Sequence, residues 1–126
     1  MPFMKLILIS SLALLGIGAS ASAPRKPARV LACNLGTLTP AQRANHAEST
    51  GRLLRSATRR ELADGYLFTV DRRQVGVAEL SEWVANESRC CPSLDFHLDL
   101  PASGPLTLRL DGGIDVKKFL AAEMGL

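Results

Sequence analysis

The sequence predicts an α+β protein, a two-layer sandwich in which helices pack on a mostly antiparallel sheet. Two observations lead to this class. Strand-like segments occur in adjacent pairs, 57–62 with 66–70 and 94–100 with 106–110, and helix-like segments lie before, between and after these pairs. Neighbouring strand pairs separated by helices favour layers of segregated helices and strands. The predicted order is β-α-β-β-α-β-β-α, for which a variant of the ferredoxin-like fold is one arrangement.

The first two elements are a short strand over 29–35, which contains Cys33, and a helix over 40–55. Thr39 is expected to cap this helix and Gln42 to complete a capping box, with a proline at the first helical position. One narrow face of the helix is made of small or apolar residues and is expected to pack on the sheet. These residues are Ala44, Ala47, Gly51 and Leu54.

A β-hairpin and a second helix follow. Asp64-Gly65 is expected to form the hairpin turn, with glycine supplying positive backbone angles. Tyr66, Phe68 and Val70 then share one face of the second hairpin strand. The helix is predicted over 75–89 and ends before Pro92, which cannot continue it. Its apolar stripe consists of Val77, Leu80, Val84, Glu87 and Cys91.

The last hairpin is predicted from two alternating segments. Leucine and phenylalanine alternate with polar residues over 94–100, so His97 is expected to point away from the apolar face toward solvent. Leucines alternate again over 106–110, after a turn at 101–105. The glycines in 111–113 break this strand, and a final helix is predicted over 114–124.

The N-terminus is typical of a secretory signal. Lys5 precedes a short apolar stretch that ends in Ala-x-Ala sites, and cleavage after Ala21 is favoured. Residues 1–21 are therefore predicted as a signal peptide, 22–29 as a disordered linker and 30–126 as a single α+β domain. A retained membrane anchor is the alternative. With cleavage, the mature protein has no membrane span and is expected to be periplasmic or secreted.

Composition and motifs exclude several classes of function. The net charge is only +3, and the arginines are interleaved with acids and lack aromatic neighbours, so a nucleic-acid partner is not expected. The chain has no Cys-x-x-Cys, no Gly-rich phosphate loop, no Gly-x-Ser-x-Gly and no His-Glu-x-x-His. The sequence therefore favours a protein that is not an enzyme, and it identifies no catalytic residue.

The adjacent thiols Cys90 and Cys91 are the most specific feature of the chain, and Cys33 is the only other cysteine. A disulfide between neighbours is strained, so a bridge is expected from Cys33 to one of the pair, or not at all. Both thiols can also face one metal ion at the bend before Pro92. Thiolates suit soft metal ions, here Hg(II), Cu(I), Zn(II) or As(III).

Two further residues are candidate metal ligands. Glu87 lies three and four residues before the thiol pair, on the same helical side, and a carboxylate there needs a partner. It could bind a metal, accept a thiol proton, or form an ion pair with Arg89 or Arg55. His46 lies near the small-residue face of the first helix and could serve as a ligand or as an ordinary hydrogen-bonding histidine.

From Leu31 onward the sequence resembles a family of small, uncharacterised bacterial proteins. The specific block is Glu87-Ser88-Arg89-Cys90-Cys91-Pro92, and weaker matches are Ala32-Cys33-Asn34 and His46-Ala47. The family's Arg-Cys-Cys-Pro motif is loosely associated with heavy-metal resistance settings, so the resemblance implies a metal-related role. The chain departs from the family in its secretory signal and in Ser93, where a bulkier apolar residue is usual.

Three hypotheses follow. The first is an exported protein that binds a soft metal ion through Cys90 and Cys91, with Cys33 as the third ligand and Glu87 or His46 in support, for sequestration or for hand-off to a metal-handling protein. The second is a non-catalytic periplasmic structural or interaction domain with a disulfide from Cys33 to Cys90 or Cys91. The third and weakest is a thiol-dependent reductase. Oligomeric state is left open.

Overall fold

A computed structural model of the protein describes residues 31–126, together with Gly16 and Gly18. The predicted linker, and the predicted signal peptide apart from these two glycines, lie outside the described residues. A 3-10 turn at Leu35–Thr37 precedes three helices and four strands. In chain order these are α1 (Pro40–Ser56), β1 (Thr58–Glu61), β2 (Gly65–Val70), α2 (Val77–Cys90), β3 (Asp95–Asp99), β4 (Leu106–Asp111) and α3 (Ile114–Met124).

The four strands form one antiparallel sheet in the order β1-β2-β4-β3. Strand β4 lies between β2 and β3, which are parallel to each other and joined through α2. This is a split β-α-β unit, the element shared with ferredoxin-like folds. The predicted α+β class, with helices packed on an antiparallel sheet, is confirmed, as are both hairpins and all three helices.

The core lies between the helices and one face of the sheet. The alternation predicted for β2 and β4 is confirmed, because Phe68 is paired with Leu108 and Val70 with Leu106, and all four side chains are buried. Helix α2 contributes Leu80 and the indole of Trp83. No helix in the described part of the chain is both long and apolar enough to cross a membrane.

The predicted strand over 29–35 is wrong for its described part, since residues 31–34 have no regular secondary structure. Asn34 donates its backbone N–H to the carbonyl of Cys90 at 2.7 Å, so this segment is attached to the end of α2 and not to a sheet edge. The Asn34 side chain then caps the 3-10 turn by accepting from Gly36 N–H.

The start of α1 is as predicted, with a complete capping box between Thr39 and Gln42. Its predicted buried face is wrong. Ala44 and Ala47 are exposed, and Gly51 and Leu54 are only partly buried. The buried residues are His46, Ser49 and Leu53. Two of them are polar but have partners on α2, and such partners cannot be identified from helical periodicity.

The hairpin between β1 and β2 forms where it was predicted, but its glycine has a different role. Gly65 is not among the glycines with positive φ. Its Cα lies so close to β4 that a Cβ would collide with the carbonyl oxygen of Leu110 and stand 2.9 Å from the Cα of Asp111. Gly65 is therefore required for close strand approach and not for a left-handed turn.

Candidate metal centre at the end of helix α2

The C-terminus of α2 carries the cysteine pair, and the two residues differ in conformation and in bonding. Cys90 is the last helical residue, whereas Cys91 is the C-cap, with φ −123° and ψ 74°. Cys91 forms a disulfide with Cys33, with the two Cα atoms 4.4 Å apart. Of the two bridges left open by the sequence, the structure contains the one to Cys91.

Cys90 is the free thiol, and its side chain is buried. Its sulfur lies 3.9 Å from the sulfur of Cys91 and 3.8 Å from Oε2 of Glu87. Burial, and after it the negative charge of Glu87, raises the pKa of the Cys90 thiol to about 11. The thiol is therefore protonated at neutral pH and is a poor nucleophile.

Glu87 is also buried, and its partner is on another helix. Its Oε2 accepts a hydrogen bond from Nε2 of His46, 41 residues earlier in the sequence. Both side chains are nearly inaccessible, with 11% and 5% of their surfaces exposed. The predicted need for a partner is thus met by His46, and not by the arginines that the sequence suggested. The pair joins α1 to α2.

The imidazole of His46 is held by its surroundings on α1 and α2. It stacks on the indole of Trp83, with ring centroids 5.5 Å apart and planes 20° from parallel. The indole N–H donates to Oγ1 of Thr50 at 2.8 Å, and that hydroxyl donates to the carbonyl of His46 at 2.7 Å. Nδ1 of His46 is buried and has no hydrogen-bond partner among the described residues.

One cavity of about 320 Å³ brings these groups together. All five residues that the sequence proposed as metal ligands line it: Cys33, His46, Glu87, Cys90 and Cys91. Arg43 and Thr50 contribute from α1, and Glu123 and Met124 from the end of α3. The cavity is therefore formed by all three helices and by the segment that carries Cys33.

Two sets of ligand atoms in this cavity are close enough to hold a metal ion. His46, Glu87 and Cys90 form one set, and Cys33, Glu87 and Cys91 form the other. Within each set the ligand atoms lie within 4.8 Å of one another, and Glu87 belongs to both. The sulfurs of the second set are bonded to each other, so only the first set offers a thiol.

The other histidine lies outside this site. His97 is on β3, with its side chain 46% exposed, on the sheet face opposite the helices. Its Nε2 is 3.1 Å from Oδ1 of Asp111, which also pairs with Arg109.

Sequence reasoning missed Trp83 and Thr50. Their only signal is helical spacing, since Trp83 precedes Glu87 by four residues and Thr50 follows His46 by four.

Comparisons of the chain with protein-family models, with curated proteins and with solved structures find no match.

Proposed function

We propose that the protein binds a thiophilic metal ion in this cavity, through the sulfur of Cys90 together with His46 and Glu87. The observation that carries the proposal is the buried cluster of one sulfur, one imidazole and one carboxylate, with ligand atoms within 4.8 Å of one another. Its role would be sequestration of the ion or its transfer to a metal-handling protein, and not catalysis.

The spacing of the ligand atoms supports the proposal. Zinc lies about 2.3 Å from a thiolate and about 2.0–2.2 Å from nitrogen or oxygen, so ligand atoms around a tetrahedral ion are roughly 3–4 Å apart. The distance from Cys90 Sγ to Glu87 Oε2, 3.8 Å, falls in this range. The hydrogen bond between His46 and Glu87 would have to lengthen, because the ion would replace the proton between them.

Electrostatics supports the same assignment. The Cys90 thiol keeps its proton because the site is buried and Glu87 is negative. A divalent cation would favour the thiolate in spite of burial, because its positive charge offsets the negative charge of Glu87 and stabilises the coordinating sulfur. The arrangement therefore suits a ligand set for a cation better than a nucleophile, and the reductase hypothesis is not favoured.

Features of the sequence also support a metal-related role. The Arg-Cys-Cys-Pro block, which carries the resemblance to the bacterial family, contributes Cys90 and Cys91 to this site. The segments that match the family more weakly contain Cys33 and His46. The secretory signal predicted from the sequence favours an exported protein that meets metal ions outside the cytoplasm.

The test is binding of Zn(II), Cu(I) and Hg(II) to the disulfide-bonded protein, followed by native mass spectrometry and competition with a chelator. Cys90→Ser should lose tight binding, and His46→Gln should weaken it. The matched control His97→Gln should bind as the parent does. Equal binding by Cys90→Ser and the parent would refute the proposal.

The bridge itself favours a second candidate, a non-catalytic structural or interaction domain. In that case the Cys33–Cys91 bridge links the segment before α1 to the end of α2. The hydrogen bond between His46 and Glu87 links α1 to α2. This candidate predicts that the protein binds none of the three ions tightly, so the same titration decides between the two.

A further inference from the structure

We propose that reduction of the Cys33–Cys91 bridge changes the class of metal ion that the site accepts. With the bridge closed, the site offers one thiol, one imidazole and one carboxylate, which suits a borderline divalent ion such as Zn(II). With the bridge open, it offers three thiols, which suits an ion that needs several thiolates, such as As(III). This inference rests on the proposed function, because it concerns the same cavity.

The geometry that supports this switch is the position of the Cys91 sulfur, which lies close to each of the other two. Cys91 is bonded to Cys33 and lies 3.9 Å from the sulfur of Cys90. The two sets of ligand atoms share Glu87 and line one cavity. Opening the bridge would therefore add two thiols to the cavity that already holds the thiol of Cys90. Cys33, on the irregular segment before α1, would then move toward Cys90 to complete a three-thiol site.

Accessibility determines where a reductant would attack. Cys90 and Cys91 are 1% and 3% exposed, whereas Cys33 is only partly buried. An external thiolate would thus reach the sulfur of Cys33 first. A new bond would form from the attacking sulfur to Cys33, the Cys33–Cys91 bond would break, and Cys91 would leave as a thiolate.

The second step completes the reduction. Another thiolate of the reductant would attack its own sulfur in the mixed disulfide, releasing the thiolate of Cys33 and a reductant disulfide. Two electrons would pass from a dithiol, or from two monothiols, to the bridge. Protons from solvent would then neutralise the two thiolates unless a metal ion bound them.

The difference in metal class follows from ligand chemistry. A disulfide sulfur is a weak ligand, so the closed form holds one sulfur donor beside nitrogen and oxygen, a mixture that zinc accepts. Arsenite reacts with three thiols, forms three As–S bonds and releases three water molecules. The closed form cannot supply these thiols and the open form can.

The experiment compares the full chain with its bridge intact and after reduction by a phosphine, which is not a thiol and does not compete for arsenite. Alkylation and mass measurement first verify one free thiol in the closed form, that of Cys90, and all three after reduction. Zn(II) and arsenite are then added separately, and bound ions are counted by native mass spectrometry.

The closed form should bind Zn(II) but not arsenite, and the open form should bind one arsenite per chain. The variant Cys33→Ser/Cys91→Ser is the matched control, because it keeps Cys90, His46 and Glu87. It should bind Zn(II) and never arsenite. Glutathione added to the closed form should give a mixed disulfide on Cys33, located by peptide mapping after acid quenching.

Several outcomes would overturn the switch and leave the proposed function standing. These are binding of Zn(II) without arsenite binding in the open form, equal arsenite binding by both forms, or loss of the near-ultraviolet circular dichroism of Trp83 on reduction. A mixed disulfide on Cys91 would refute the order of attack. Absence of Zn(II) binding to the closed form would also overturn the switch. The proposed function fails together with the switch if neither form binds arsenite, Zn(II), Cu(I) or Hg(II).

Discussion

The sulfurs of Cys90 and Cys91 are 3.9 Å apart, but Cys91 is bonded to Cys33, 58 residues away in the sequence. The end of α2 causes this separation of roles. Cys90 is still helical and its side chain enters the core, whereas Cys91 has left helical geometry before Pro92. Adjacent residues thus supply one buried thiol and one end of a covalent bridge.

The first prediction concerns the reactivity of Cys90. Its pKa is raised to about 11, whereas an ordinary thiol has a pKa of about 8.5. The neutral thiol of Cys90 therefore persists to a higher pH than an ordinary thiol. At pH 8 only about one thiol in a thousand would be ionised, since each pH unit below the pKa lowers the thiolate fraction about tenfold.

Iodoacetamide alkylation of the folded, disulfide-bonded protein should therefore accelerate with each pH unit up to about 11, the pKa of Cys90. The urea-unfolded protein is the control, and its rate should level off near the ordinary thiol pKa. A plateau between pH 8 and 9 in the folded protein would show that burial and Glu87 do not hold the proton.

The second prediction concerns the stability that the bridge provides. It closes a loop with a sequence separation of 58, and chain entropy predicts a stabilisation of about 4 kcal/mol for a loop of this size. Cys33→Ser should lower the free energy of unfolding by about this amount in urea titrations. Cys90→Ser leaves the bridge intact and serves as the control. A loss below about 1 kcal/mol in Cys33→Ser would show that the bridge has little structural role.

The third prediction concerns the buried pair of Glu87 and His46. Glu87→Ala leaves the imidazole buried without its acceptor, so the free energy of unfolding should fall by about 3 kcal/mol at neutral pH. Glu87→Gln retains an acceptor oxygen and should cost less. The exposed Glu82→Ala on the same helix should stay within about 0.5 kcal/mol of the parent. Comparable stability of Glu87→Ala and Glu82→Ala would contradict a stabilising role for the buried pair of Glu87 and His46.

The fourth prediction uses Trp83, the one tryptophan of the chain. Its indole stacks on His46, so an ion that binds the imidazole should change its surroundings and its fluorescence. Titration of Zn(II) into the disulfide-bonded protein should give a saturable change in emission. In Cys90→Ser the change should require much more Zn(II). An emission spectrum insensitive to bound Zn(II) would argue that the ion does not touch His46.

The fifth prediction contrasts two glycines. Gly65→Ala places a methyl group against the backbone of β4 at Leu110, and such overpacking should destabilise by about 2 kcal/mol. Gly51→Ala lies inside α1 and would meet only the flexible end of Arg55. It should stabilise by about 0.5 kcal/mol through helix propensity. Thermal or urea unfolding would measure both, and equal effects would exclude the close approach of β2 and β4.

The features that could be predicted from the sequence are those determined by neighbouring residues. The capping box at Thr39 needs only three following residues, and the alternation around Phe68 and Leu108 reports a half-buried sheet directly. The α+β fold class and the two hairpins follow from such local patterns.

Errors arose where a distant residue decides the outcome. Periodicity could not place His46 in the buried face of α1, because its burial depends on Glu87 in another helix. The segment around Cys33 is apolar like a strand, but it is attached to the end of α2 by Asn34 and by the bridge. The candidate ligands could be named from residue type alone, whereas the division of the thiols required the three-dimensional structure.

The bridge also divides the chain mechanically. A pull applied between Cys33 and the C-terminus would pass through the Cys33–Cys91 bond and bypass α1, β1, β2 and α2, which lie in the loop that it closes. Only the part after Cys91, with β3, β4 and α3, could be drawn out. Breaking the bridge would release the loop, with a separation of 58 residues, and so add about 200 Å of extensible length. The bridge that lines the candidate site therefore also determines how much of this protein can be unfolded by force.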